Sequence, residues 1–297
     1  MQLDQAALEQ QGFVLVKDVF TAAECAEIST AAEILAALAP GRHFQKRYGN
    51  VRFFSGLEDD GTTSLRSVIW CALLDARLEA LRRDPRLYAL LRPLLGDTIR
   101  QVTNQIHVKR SGSRTSFPPH SDRSSRVRAQ GEEIRNLDRC FFQTAIVAEA
   151  MGPHNGGLFF MPGSHRWSPQ SAYAELVQES RRPEEDFQAT IPEGCVPVHA
   201  EAGDLLIWHG DTVHGSAIST AAAGQRPLYI NGYVRAADCM RGYWSWIQGQ
   251  PVAMPDIEVP VLVYGQPCFD AFAPKDGRQL RALYQERRRR LDDASAA

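Results

Sequence analysis

The chain has 297 residues, 44% of them hydrophobic and 23% charged, with a formal charge of −2 at pH 7. This composition supports a buried core without disulfides, and the near-neutral balance excludes a global pull on nucleic acid or on a membrane surface. No apolar run approaches the ~20 residues of a bilayer span, and the N-terminus lacks a basic region followed by an apolar stretch, so a cytoplasmic protein is expected.

Residues 3–11 read as a short helix leading into a strand over residues 12–18. Thr21 followed by Glu24 has the spacing of a capping box. It opens a helix expected to reach about Leu38, with Ile28, Ala31, Leu35 and Leu38 on one face. Pro40-Gly41 stops it. The following segment carries Arg42, Lys46, Arg47 and Arg52 beside Tyr48, Phe53 and Phe54, and reads as a loop. A helical region from about Asp75 to Leu95 is expected to break before Pro85.

From Thr98 the period changes to two. Val102, Ile106 and Val108 share one parity; Thr103, Gln105, His107 and Lys109 share the other. Further strands are expected over residues 140–149, 156–162, 195–200, 204–209 and 227–235, with Gly and Pro between them. Residues 276–292 read as a closing helix. The expected architecture is mainly β with flanking helices, built on a double-stranded β-helix (a cupin-like jelly roll). One domain is expected over residues 1–297: a helix-rich part (1–97), the jelly-roll core (98–235) and a C-terminal extension (236–297).

The six cysteines, Cys25, Cys71, Cys140, Cys195, Cys239 and Cys268, form no C-x-x-C pair, which leaves a zinc ribbon or redox motif unsupported. The chemistry lies elsewhere. His120 and Asp122 form an H-x-D pair, and His214 follows far downstream. Two imidazoles and one carboxylate are the ligand set of a non-haem Fe(II) oxygenase with open coordination positions. Alternation on an extended segment would aim His120 and Asp122 at one ion. A second H-x-D, His209 with Asp211, lies so close to His214 that all three would come from one loop; a hydrogen-bonding or structural role is expected of it. Arg226 follows His214 and could grip a carboxylate with its planar fork. Ser216 shares the parity of His214 and could add a hydroxyl.

These residues resemble the phytanoyl-CoA dioxygenase family of Fe(II)- and 2-oxoglutarate-dependent oxygenases. The matching pieces are His120-Ser-Asp122, the block from Asn155 to Trp167 (NGGLFFMPGSHRW), the block from Ala202 to Ser216 (AGDLLIWHGDTVHGS) and Arg226. The resemblance implies that His120, Asp122 and His214 bind iron, and that Arg226 and Ser216 hold the distal carboxylate of 2-oxoglutarate. It also implies pocket-lining or co-substrate contacts for Lys109, Gln105 and Thr144, and O2 as the second co-substrate. Retention of Asp122 favours hydroxylation or a related oxidation over halogenation, in which the family's relatives replace this carboxylate by a small residue. Pro119, where the family often carries an aromatic residue, and the arginine-rich stretch after Asp122 depart from the pattern and bear on the substrate.

A small organic substrate is expected, with an anionic or carboxylated one suggested by the basic segment at 42–52. No basic stripe with interleaved stacking residues points to nucleic acid. Two rival readings stand beside this one: a cupin-type metal dioxygenase that does not use 2-oxoglutarate, and a non-catalytic jelly-roll binding protein.

Overall fold

The computed structural model describes residues 2–39, 45–58, 61–112, 116–122, 140–167, 191–239, 241–257, 259, 262–263, 266–267 and 276–296. The arginine-rich stretch at 123–139 lies outside them. By internal contacts the chain forms two units: residues 1–25 with 109–228, and residues 26–108 with 229–297.

The first unit begins with α1 (Gln5–Gln11). Asp4 caps it by accepting from the Ala7 amide at 2.9 Å. Gly12 ends it at φ +85°, where a Cβ would stand 2.4 Å from His165 Nδ1 and 2.5 Å from Thr212 Oγ1. β1 (Phe13–Val16) follows and pairs antiparallel with β10 (Leu205–His209), which pairs with β7 (Phe141–Val147). The register sets Phe13 opposite Trp208, and Trp208 opposite Gln143. A second antiparallel sheet runs in the order β6 (Phe117–His120), β11 (His214–Ser216), β8 (Leu158–Phe160), β9 (Val196–Pro197). Strands remote in sequence are neighbours in both sheets, as a double-stranded β-helix requires.

The second unit carries most of α2 (Ala22–Leu38). Its capping box is formed: Thr21 N–H donates to Glu24 Oε2 at 2.8 Å and Glu24 N–H to Thr21 Oγ1 at 3.2 Å. Next come β2 (Gln45–Tyr48), β3 (Val51–Leu57) and β4 (Thr63–Ile69), then α3 (Ala76–Leu81), α4 (Pro85–Leu95) and β5 (Ile99–Arg110). β2 to β5 form an antiparallel run in chain order. The loop expected around residues 45–54 is therefore a hairpin. Val51 and Phe53 are buried, while Arg47 and Arg52 lie opposite each other at half-exposed positions. Lys46 on the apolar face and Phe54 on the polar face hid the alternation. α5 (Gly277–Ala296) closes the unit: Tyr284 Oη donates to Asp75 Oδ2 at 2.6 Å, and Asp75 Oδ1 in turn accepts from the amides that open α3. β5 and β12 (Gln225–Arg235) each begin in one unit and end in the other.

Candidate metal centre

The first unit brings His120, Asp122 and His214 together, with their ligand atoms all within 4.8 Å of one another. His120 ends β6 and sits directly opposite His214, which begins β11. Their ring centroids are 4.5 Å apart. His120 Nδ1 lies 2.8 Å from the Pro118 carbonyl, and His214 Nδ1 lies 2.9 Å from the Thr212 carbonyl. A carbonyl can only accept, so each Nδ1 carries a proton and Nε2 is the ring atom left to face a metal. Burial pushes His214 down to about 4, which leaves it neutral at physiological pH, as a metal ligand must be.

Asp122 arrives differently from the alternation expected. β6 stops at His120, so Asp122 lies beyond the strand. Its carboxylate is tied from β10 instead: Trp208 Nε1–H donates to Asp122 Oδ2 at 3.1 Å. That oxygen lies 3.5 Å from His214 Nε2. Phe160 stacks on His214 at 5.4 Å and on Phe13 at 4.6 Å, and Trp208 meets the His214 ring edge-on. Two imidazoles and a carboxylate, converging on one point within apolar walls, fit a divalent transition-metal ion with N/O preference.

The family-like blocks have local physical reasons. Asn155 Oδ1 accepts from the Gly152 amide at 2.9 Å, and its Nδ2 donates to the Ala150 carbonyl at 2.7 Å, closing the turn before β8. Gly156, at φ +67°, gives its carbonyl to Arg226 Nη2 at 2.8 Å. A Cβ on it would stand 2.2 Å from Lys109 Cδ. Ser164 Oγ accepts from the Val213 amide at 2.8 Å and so pins the residue before His214. Asp204 accepts from Lys17 Nζ at 2.8 Å and from the Asp18 and Glu201 amides, a structural turn at the start of β10.

Arg226 is 3% exposed. Its guanidinium donates to the carbonyls of Gly156 and Asn155 and lies near Met151 Sδ, and no described carboxylate pairs with it. Burial lowers it to about 10, still protonated at neutral pH. Lys109, also buried, donates from Nζ to Ser216 Oγ at 2.8 Å and to the Ala217 carbonyl. Ser216 is thus brought to Lys109. Gln105 sits half-buried in β5 opposite Ile69, in the second unit. Thr144 pairs with Ile207, so it lies on the opposite face of β7–β10 from Trp208. This departs from a pocket-lining place beside the metal ligands. His209 Nδ1 accepts from the Asp211 amide at 3.1 Å and its ring packs against Phe142 and His165. The second H-x-D is therefore a turn and packing element. Sequence reasoning missed Trp208 and Ser164; the parity of Trp208 with Leu206 was the available signal.

A two-sheet antiparallel fold that gathers two imidazoles and a carboxylate from distant segments defines the class of non-haem metal oxygenases. The family model described as "Phytanoyl-CoA dioxygenase (PhyH)" matches residues 8–224. The chain belongs to that family of Fe(II)- and 2-oxoglutarate-dependent dioxygenases. It is 24% identical over 262 residues to "Dioxygenase af480" of Aspergillus fumigatus, covering 88% of this chain and 75% of the relative. It is 25% identical over 222 residues to the ectoine dioxygenase of Sphingopyxis alaskensis, covering 71% and 68%. The crystal structure of EctD from S. alaskensis, solved with 2-oxoglutarate and 5-hydroxyectoine, superposes with a TM-score of 0.58 at 20% identity, covering 84% of each chain. That likeness carries the fold: a jelly-roll core with flanking helices.

Proposed function

We propose that this protein oxidises a small organic substrate, by hydroxylation or a related reaction, using iron held by His120, Asp122 and His214 with 2-oxoglutarate and O2 as co-substrates. The convergence of those three side chains carries the reading. Iron bound there would supply the oxidation of an unactivated C–H bond, coupled to conversion of 2-oxoglutarate into succinate and carbon dioxide.

The chain's own residues do the rest. The Pro118 and Thr212 carbonyls fix the imidazole tautomers. Trp208 holds the carboxylate. Phe13, Phe160 and Trp208 wall His214 away from water. Arg226, buried and without a described carboxylate partner, receives the distal carboxylate of 2-oxoglutarate. Lys109 orients the Ser216 hydroxyl that assists it.

The substrate in this reading is anionic or carboxylated, a class suggested by the basic residues of the 42–52 segment of the sequence. We read residues 1–297 as one oxygenase domain acting in the cytoplasm. Cys25, Cys71, Cys140, Cys195 and Cys239 are free thiols, as a reducing compartment allows. No helix among the described residues is long and apolar enough to cross a membrane.

Anaerobic addition of 2-oxoglutarate to the Fe(II)-loaded protein should give a weak visible charge-transfer band, and His214→Ala should abolish it. Full iron binding by His214→Ala would reject the triad. Arg226→Ala should raise the 2-oxoglutarate concentration needed for half-saturation by at least about tenfold. A screen of small metabolites for stimulated succinate release then identifies the substrate.

A further inference from the structure

Gln143 occupies the middle of β7, in the strand Phe-Phe-Gln-Thr-Ala-Ile-Val. It is 1% exposed, and neither Nε2 nor Oε1 has a hydrogen-bond partner among the described residues. An amide buried with both ends bare works against folding, because each end has given up water for nothing. An apolar side chain of the same shape would serve the strand better. Retention of such a group in a core marks a site held for something other than stability.

The register shows which side of the sheet it serves. Gln143 lies directly opposite Trp208, and Trp208 lies opposite Phe13. Paired residues of an antiparallel sheet project to the same face. On that face the Trp208 indole reaches Asp122, and Phe13 stacks on the Phe160 that covers His214. The bare amide therefore shares the face from which the metal-ligand carboxylate is held.

We propose that Gln143 reads the organic substrate of this centre by hydrogen-bonding a hydroxyl or N–H group on it. The proposal rests on the dioxygenase reading above and narrows its substrate class. A primary amide offers two donors and a carbonyl acceptor side by side. At neutral pH 2-oxoglutarate has acceptors only, so it could meet Nε2 and would leave Oε1 bare. A ligand with a hydroxyl or amide N–H answers both ends. A site built to hydrogen-bond such a group also rejects the analogue that lacks it far more strongly than an apolar pocket can.

The test uses Gln143→Met, which keeps the volume and removes both polar ends. Metal-free Gln143→Met should melt no lower than the wild type. A lower melting temperature, or failure to fold, would show a structural amide and overturn the proposal. This arm needs neither iron nor 2-oxoglutarate, so it stands apart from failure of the dioxygenase reading, which the wild type's lack of a charge-transfer band would reveal. In the Fe(II)-loaded protein, the dissociation constant of 2-oxoglutarate read from that band should stay within about twofold; a loss of tenfold or more would assign the amide to the co-substrate instead. Finally, wild type and variant are compared for succinate release on a panel of hydroxyl- and amide-bearing compounds, each with its deoxy or N-methylated counterpart. The wild type should favour the hydrogen-bonding member of a stimulating pair by at least about tenfold, and Gln143→Met should lose that preference. No preference in the wild type, or one kept by the variant, overturns the proposal.

Discussion

Asp122 is the ligand residue that no strand carries, and its bond to Trp208 compensates for that. A carboxylate side chain has several rotamers, whereas an indole N–H fixed in β10 favours one of them. Trp208 thus acts as a positioning residue through Asp122. Trp208→Phe keeps an aromatic ring against His214 and Phe160 but loses the donor. Co(II) titration of this variant, followed by its visible absorption, should show affinity reduced roughly 10- to 100-fold, the usual cost of losing an outer-shell partner. The melting temperature of the metal-free variant should fall only slightly. Unchanged Co(II) affinity with an unchanged absorption spectrum would remove Trp208 from the site.

At the scale of elements, local signals were the legible ones. The Thr21–Glu24 capping box and the break before Pro85 depend on neighbours in sequence, and both stand as read. Register depends on distant partners and was invisible. A shift of one residue exchanges the two faces of a strand. Thr144, named from the family resemblance, faces away from Trp208, while its neighbour Gln143 lies on Trp208's side. The β2–β3 hairpin was hidden for another reason: Lys46 shares the face of Tyr48, Val51 and Phe53, and Phe54 shares the face of Arg52, so neither strand alternates cleanly. The Asn155–Gly157 turn shows what a family block means physically. Gly156 has a left-handed backbone, passes its carbonyl to Arg226 and leaves room for the Lys109 stem. Gly156→Ala should therefore act twice. It should destabilise the fold by about 1–3 kcal/mol through the strained backbone. It should also weaken 2-oxoglutarate binding by displacing Lys109 from Ser216. Denaturant unfolding and the charge-transfer titration read the two effects separately; an alanine variant equal to wild type in both would refute this account of the turn.

For the whole molecule, what matters is that the centre exists only once the chain has folded. His120 ends β6, Asp122 follows it, His214 opens β11, and the strands that wall them come from both ends of the first unit. The unfolded chain holds His214 far from the His120–Asp122 pair and binds a single ion poorly. A metal that prefers the native state stabilises it by RT ln(1 + [M]/Kd), about 2.7 kcal/mol at a hundredfold excess over Kd. For a chain of this length that corresponds to a rise in melting temperature of a few degrees. Anaerobic Fe(II) or Co(II) should produce this shift in the wild type, growing with the logarithm of metal concentration. His214→Ala should melt at a temperature independent of metal, because a buried site with one imidazole missing no longer distinguishes folded from unfolded chain. Trp208→Phe should respond, but only at correspondingly higher metal concentration. If all three proteins shift alike, the ion binds elsewhere, and the three side chains gathered between β6 and β11 are a polar cluster of the core.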